Sequence, residues 1–206
     1  VADPAGSAVE EFVAVMRRLR AECPWKAEQT HRSLVRYLLE ETAETVEAID
    51  AGEVSGDWSH LAEELGDVLL QVVFHAAIAE ERGEFDLDDV ARGITTKMRR
   101  RNPHVFGETP SADLDAAAVN DLWQKMKARE GKPAGAVEAG DSLPAGLSAL
   151  LYADKVLDRL DRSGRPVTLD AASADLGERL LALVAEARTA GVDPEQALRD
   201  AVRARS

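Results

Sequence analysis

Apolar positions along this chain recur three and four residues apart, and polar positions fill the intervals. That spacing predicts helices, at 7–22, 31–51, 57–82, 86–101, 114–130, 145–162, 173–190 and 194–205. No segment combines strict alternation with β-branched residues, so the expected fold is all-α, a helical bundle. End signals punctuate the pattern. Asp57 or Ser59 can cap the helix at 57–82 and Gly83 can end it; Asp86 can cap the next, and Asn102-Pro103 stops it. Gly52 and Gly56 bracket a short break centred near Val54. The Gly/Ala/Pro-rich stretch over 130–140 reads as a linker. The expected organisation is a larger domain at 1–130, a linker at 131–142 and a smaller helical domain at 143–206.

Two acidic clusters interrupt this pattern on either side of the break: Glu40-Glu41-x-x-Glu44 and Glu63-Glu64-x-x-Asp67. Runs of charge on helices are ordinarily solvated faces. Helical phase, at about 100° per residue, separates that reading from a functional one. On the helix at 31–51, Leu34, Val35, Leu38, Val46 and Ile49 mark an apolar arc. Glu41 falls inside it, Glu44 falls at its edge, and Glu40 and Glu47 point away. The helix at 57–82 is apolar on nearly all sides beyond Leu65, which predicts burial. Its polar residues form one stripe, His60-Glu64-Asp67-Gln71-His75, and Glu63 lies off it. Folding the two helices back on each other about Val54 sets Glu44 against Glu64 and Glu41 against Asp67. Buried carboxylates cost several kcal/mol each unless paired or metal-bound. Few basic residues lie on these helices to pair with them, and all-oxygen ligands of high charge suit Mg²⁺ or Mn²⁺.

Composition narrows the partners. The chain has 206 residues with 45% hydrophobic and only 4% aromatic content, enough for a helical core. A net charge of −13 argues against general affinity for nucleic-acid backbones or anionic membranes, but leaves room for a phosphorylated small molecule held through metal. The single cysteine, Cys23, permits no internal disulfide and suits a reducing, cytoplasmic setting. No apolar run approaches the roughly 20 residues that span a bilayer, and no signal peptide is visible. The chain begins at Val1, as a processed or excerpted chain would.

Basic and aromatic residues follow the acidic hairpin. Lys97 and Arg101 are four apart on one face near the end of the helix at 86–101. Cations favour helix C-termini through the macrodipole, yet this pair would also suit a polyphosphate beside metal. Trp123 and Lys127 repeat the spacing on the next helix. A lone Trp on a helix is ordinarily core, as Trp25 is expected to be. His75 reads as a core histidine, and His104 has no decisive context. There is no Ser/His/Asp arrangement, Gly-rich phosphate loop or zinc-ligand spacing. A weak internal repeat relates Asp175-Leu-Gly-Glu178-Arg-Leu-Leu to Glu64-Leu-Gly-Asp67-Val-Leu-Leu. The second copy lacks an upstream Glu-Glu-x-x-Glu and has Ala204 where the first has Lys97.

In order and spacing, several segments resemble the MazG family of all-α nucleoside triphosphate pyrophosphohydrolases. They are Cys23-Pro-Trp25…Glu28-Gln-Thr30, Glu40-Glu41-x-x-Glu44, Glu64-Leu-Gly-Asp67, Lys97-x-Arg-Arg-Arg101-x-Pro-His-Val-Phe106 and Trp123-x-x-x-Lys127. The resemblance covers about residues 10–130, and Ser142-Leu-Pro144 with Lys155 looks like the link into the second domain of two-domain members. It implies a Mg²⁺-dependent enzyme cleaving nucleoside triphosphates to monophosphate and pyrophosphate, with clearance of non-standard nucleotides as the family's suggested role. It also implies Glu41, Glu44, Glu64 and Asp67 as metal ligands, with Glu41 or Glu44 as candidate proton acceptor and Glu40 auxiliary. Lys97 and Arg101 would contact phosphates, Trp123 and Lys127 would approach base and phosphate, and two chains would form a homodimer. The smaller domain would be a degenerate copy without catalytic metal. Lys26, His60 and Asn102 depart from residues common in the family, Asp, Lys and His respectively. A non-catalytic helical dimer that binds nucleotide or metal and regulates a partner is the alternative. Narrower relatives acting on dUTP, dCTP or phosphoribosyl-ATP fit less well, because of the Pro-His-Val-Phe segment and the tandem layout.

Overall fold

The computed structural model describes residues 7–107, 114–129 and 143–205, with the side chains of 127–129 outside the description. Every regular element among the described residues is helical. In chain order they are α1 (Ala8–Glu22), α2 (Pro24–Glu28), α3 (Val35–Ser55), α4 (Ser59–Glu81), α5 (Leu87–Arg101), α6 (Pro103–Phe106), α7 (Ala116–Arg129), α8 (Ala149–Arg162), α9 (Leu176–Thr189) and α10 (Pro194–Arg203). The chain divides into two compact units, Val1–Gly131 and Lys132–Ser206. The linker expected at 130–140 lies outside the described residues.

In the first unit, α3 and α4 pack along each other as a hairpin, with α1 and α5 against α4 and α7 against α5. The hairpin follows from a three-residue connection between two long helices. Gly56 adopts φ 74° and ends α3 in the left-handed conformation that glycine tolerates best. Gly52 does not bracket the break, contrary to expectation: it is buried inside α3, which runs on to Ser55. The reason is steric. A Cβ at Gly52 would lie 2.5 Å from Cε3 of Trp58, so the missing side chain is what lets the indole of the connection seat on α3. Trp58 occupies the N-cap position of α4, and the Asp57 carboxylate accepts from the Ser59 N–H at 2.9 Å. Asp86 caps α5 as expected, in a reciprocal capping box with Asp89.

The core of this unit is Met16, Leu34, Val73, Phe74 and Ile78, with Phe12, Val13, Leu19, Tyr37, Leu70 and Leu87 packed against it. Full burial of a side chain such as Phe74 contributes about 1.5–3 kcal/mol. Arg17 holds Glu80 through two hydrogen bonds of 2.9 and 2.8 Å, and Arg20 holds Glu81 at 2.7 and 2.5 Å, tying α1 to the end of α4. Expectation fails for the middle of α4. Leu65, Leu69 and Val72 are exposed, as are Val35, Leu38, Leu39 and Ile49 on α3. Among the described residues, nothing fully covers that side of the hairpin. Trp25 is half exposed too, with its ring edge-on to Tyr37 at 6.0 Å.

The second unit is built from α8, α9 and α10, with Leu157 and Val184 as its buried residues. Asp175 caps α9 by accepting from the Glu178 N–H at 2.9 Å, and Asp193 caps α10 by accepting from the Gln196 N–H at 2.9 Å. Arg188 on α9 reaches three aspartates of α8: Asp154 at 2.7 Å, Asp161 at 3.3 Å and Asp158 at 3.5 Å.

Candidate active site

Three carboxylates meet across the α3–α4 hairpin. Glu41 on α3 and Glu64 and Asp67 on α4 each present an oxygen, and these oxygens all lie within 4.8 Å of one another. Helical spacing explains it: Glu64 and Asp67 are three residues apart on one face of α4, within reach of one side chain on the facing helix. Glu64 is buried. One of its oxygens lies 3.4 Å from Nδ1 of His60, and the other is buried with no hydrogen-bond partner. No Lys or Arg pairs with Glu41, Glu64 or Asp67 among the described residues. The electrostatics register this crowding. The Glu41 pKa is raised, first by desolvation and then by the negative charges of Asp67, Glu44, Glu64 and Glu40. Glu81, hydrogen-bonded to Arg20, is shifted the opposite way.

Glu44 lies outside the three-oxygen cluster and is exposed. Its place at the edge of the arc accounts for this: the hairpin turns Glu41, rather than Glu44, toward both acidic residues of α4. Glu63 is exposed and Glu40 sits 3.5 Å from Arg36 on the outer face. Further along the polar stripe of α4, Gln71 is buried with its Oε1 unpartnered. His75 meets His31 at 2.8 Å between Nδ1 atoms, with the rings stacked at 5.1 Å. Burial, then the neighbouring His31, lowers the His75 pKa. Sequence reasoning missed His31, which lies in the turn before α3 where no periodicity speaks.

The orphaned oxygen of Glu64 fits a metal ligand, because a buried carboxylate oxygen is costly unless paired or metal-bound. Three carboxylates and no nitrogen or sulfur donor fit a hard divalent ion. Residues 29–106, which span α3, α4 and α5, match the MazG nucleotide pyrophosphohydrolase domain. Over 225 aligned residues the chain is 38% identical to the nucleoside triphosphate pyrophosphohydrolase/pyrophosphatase MazG of Thermotoga maritima, covering 97% of this chain and 83% of that protein. The chain belongs to the MazG family. It is also 42% identical over 200 residues to a nucleoside triphosphate pyrophosphohydrolase of Mycolicibacterium smegmatis, covering 96% of this chain and 56% of that one. The solved structure of a mazG-related protein from Thermotoga maritima aligns with 58% of this chain and 98% of its own, at 24% identity and a TM-score of 0.48.

The remaining expected MazG residues flank the hairpin. Lys97 is exposed on α5. The Arg101 guanidinium lies over the Trp123 ring, 5.3 Å from its centroid, which fixes α5 against α7. The Lys127 side chain lies outside the described residues. His104 has a buried Nδ1 with no partner. No helix among the described residues is long and apolar enough to cross a membrane.

Proposed function

We propose that this chain hydrolyses nucleoside triphosphates between the α and β phosphates, giving nucleoside monophosphate and pyrophosphate, in a Mg²⁺-dependent reaction that Mn²⁺ also supports. The observation that carries this reading is the unpaired, partly buried Glu41–Glu64–Asp67 cluster on the hairpin of a MazG domain. Bound Mg²⁺ would neutralise triphosphate charge and polarise the phosphoryl oxygens. Glu41, Glu64 and Asp67 would hold it. Glu44, three residues from Glu41 and outside the cluster, is free to join them or to accept the proton of the attacking water. Lys97 and Arg101 would stabilise charge on the leaving pyrophosphate, with Lys127 on the flanking helix. Trp123, braced by Arg101, would offer its other face to the base.

The active species in this reading is a cytoplasmic homodimer. Its support is the open apolar side of α3 and α4, where Val35, Leu38, Leu39, Leu65, Leu69 and Val72 stand exposed. The test is pyrophosphate and monophosphate release from a panel of NTPs, dNTPs and non-standard nucleotides, with Mg²⁺ and with EDTA. Metal-dependent formation of both products is expected. Metal binding without turnover would overturn the catalytic reading in favour of a regulatory one.

A further inference from the structure

The start of α3 has no side-chain cap: Leu34 at its N-cap position makes no such hydrogen bond. A bracket outside the helix holds it instead. Arg20 of α1, whose side chain is 8% exposed, donates to the backbone carbonyls of Lys26, Ala27 and Gln29 while it grips Glu81 of α4. Thr30 and Ser33 then each accept from the other's backbone N–H, at 3.2 and 2.9 Å. His31 therefore projects from a braced turn. It meets His75, on the polar stripe of α4, with 2.8 Å between Nδ1 atoms.

That distance decides what passes between the rings. Two metal–nitrogen bonds of about 2.0–2.1 Å in a tetrahedral site hold their nitrogens about 3.3 Å apart, so no ion fits between these two. At 2.8 Å the contact is a hydrogen bond that carries one proton. One imidazole donates from Nδ1–H, and the other accepts at a bare Nδ1. His75 shares its stripe with Glu64 and Asp67 and lies two turns, about 12 Å, beyond Asp67. The pair thus ties the turn before α3 to the helix that carries two of the three clustered carboxylates. Rotation of α3 decides which of its own acids joins them, because Glu41 and Glu44 stand about 60° apart around the axis. Leu34, buried in the core, holds α3 close, but apolar packing is non-directional. The imidazole bond is directional.

We propose that His31 and His75 are positioning residues, whose one-proton bond fixes the rotation of α3 on α4 and so keeps Glu41 at the cation site with Glu64 and Asp67. This rests on the reading of that cluster as a divalent-cation site. The test uses the full chain and Mn²⁺, with binding read from the paramagnetic resonance of the free ion rather than from turnover. His75→Phe keeps the bulk and removes the nitrogen, and it should raise the Mn²⁺ dissociation constant about threefold to tenfold; His31→Phe should do the same. His75→Asn, which can place an amide against His31, should restore most of the affinity. The double Phe chain should bind no worse than either single one, because the same bond is lost in all three. A measurement that needs no variant completes the test: long-range proton–nitrogen spectra of the metal-free chain should show one of the two Nδ1 atoms protonated and the other bare. Mn²⁺ affinity unchanged by His75→Phe, losses that add in the double chain, His75→Asn no better than His75→Phe, or both Nδ1 atoms bare overturns the proposal. Each of those results leaves Mn²⁺ binding by the wild-type chain intact. A wild-type chain that binds no Mn²⁺ would instead defeat the cation reading, and this proposal with it, so the two failures are distinguishable.

Discussion

Each unit gathers three acidic side chains at a helix–helix contact, and the two solve the resulting repulsion differently. In the second unit Asp154, Asp158 and Asp161 of α8 surround Arg188. Burial opposes the charge on that guanidinium, and the hydrogen bond to Asp154 and the neighbouring carboxylates more than offset it, so its pKa is raised. In the first unit Glu41, Glu64 and Asp67 converge with no Lys or Arg between them among the described residues, and desolvation and the neighbouring carboxylates raise the Glu41 pKa. The difference teaches that an acidic cluster alone says little. What marks a cation site is a cluster whose compensating charge the chain does not supply. The repeat shows how the second copy escapes the need for one. Asp175, at the offset of Glu64, is spent on capping α9, whereas Glu64 lies inside α4 with an oxygen to spare.

The sharpest way to break the contrast is to remove one carboxylate. Glu41→Gln, Glu64→Gln and Asp67→Asn should each lower turnover on the order of 10²–10³-fold, while Glu63→Gln, off the stripe, should stay near wild type. Equal losses at Glu63 and Glu64 in steady-state assays would refute the phase argument. Next in size is the cation itself. Mg²⁺ or Mn²⁺ at about a hundred times its dissociation constant should stabilise the chain by about 2.7 kcal/mol in thermal melts, and Glu64→Gln should erase the effect.

The second unit offers the converse experiment. Arg188→Ala strips the internal cation from three aspartates and should cost about 1–2 kcal/mol, moderated because the aspartates are partly exposed. It should also make the second unit sensitive to added Mg²⁺, while the wild-type unit is expected to stay indifferent; denaturant melts with and without the ion would read both effects.

Smallest is a pH effect in the metal-free protein. Because the folded-state pKa of Glu41 is raised, its contribution favours folding below the ordinary Glu pKa and is lost as pH rises through the raised value. Metal-free Glu41→Gln should therefore melt slightly higher than wild type at neutral pH and lose that advantage near pH 4.5, the ordinary value for the group. A Glu41→Gln chain less stable than wild type at pH 7 would mean the carboxylate is compensated after all.

Much of this was legible in the chain because helical phase is a local property. The helix arrangement, the cap at Asp86, and the choice of Glu41, Glu44, Glu64 and Asp67 over Glu40 and Glu63 all follow from spacing. Other features depend on what periodicity does not encode. Apolar stripes on α3 and α4 announced that Leu65, Leu69 and Val72 avoid water, but not whether their own chain covers them. Gly52 read as a breaker because its partner, the Trp58 indole, is set by the hairpin and not by neighbours in sequence. Level-by-level pairing set Glu44 against Glu64, whereas the three-oxygen cluster contains Glu41 and leaves Glu44 exposed beside it. Short α2 and α6 begin at prolines and span too few residues to show a period. The His31–His75 contact joins a turn to a helix, a tertiary event with no local trace.

The account turns on where a divalent ion sits, and Mn²⁺-induced broadening of backbone amide resonances asks that directly. Substoichiometric Mn²⁺ should erase signals around Glu41, Glu64 and Asp67 and spare those around Asp154, Asp158 and Asp161. Broadening centred on the α8 aspartates, or spread evenly over the acidic surface, would contradict it.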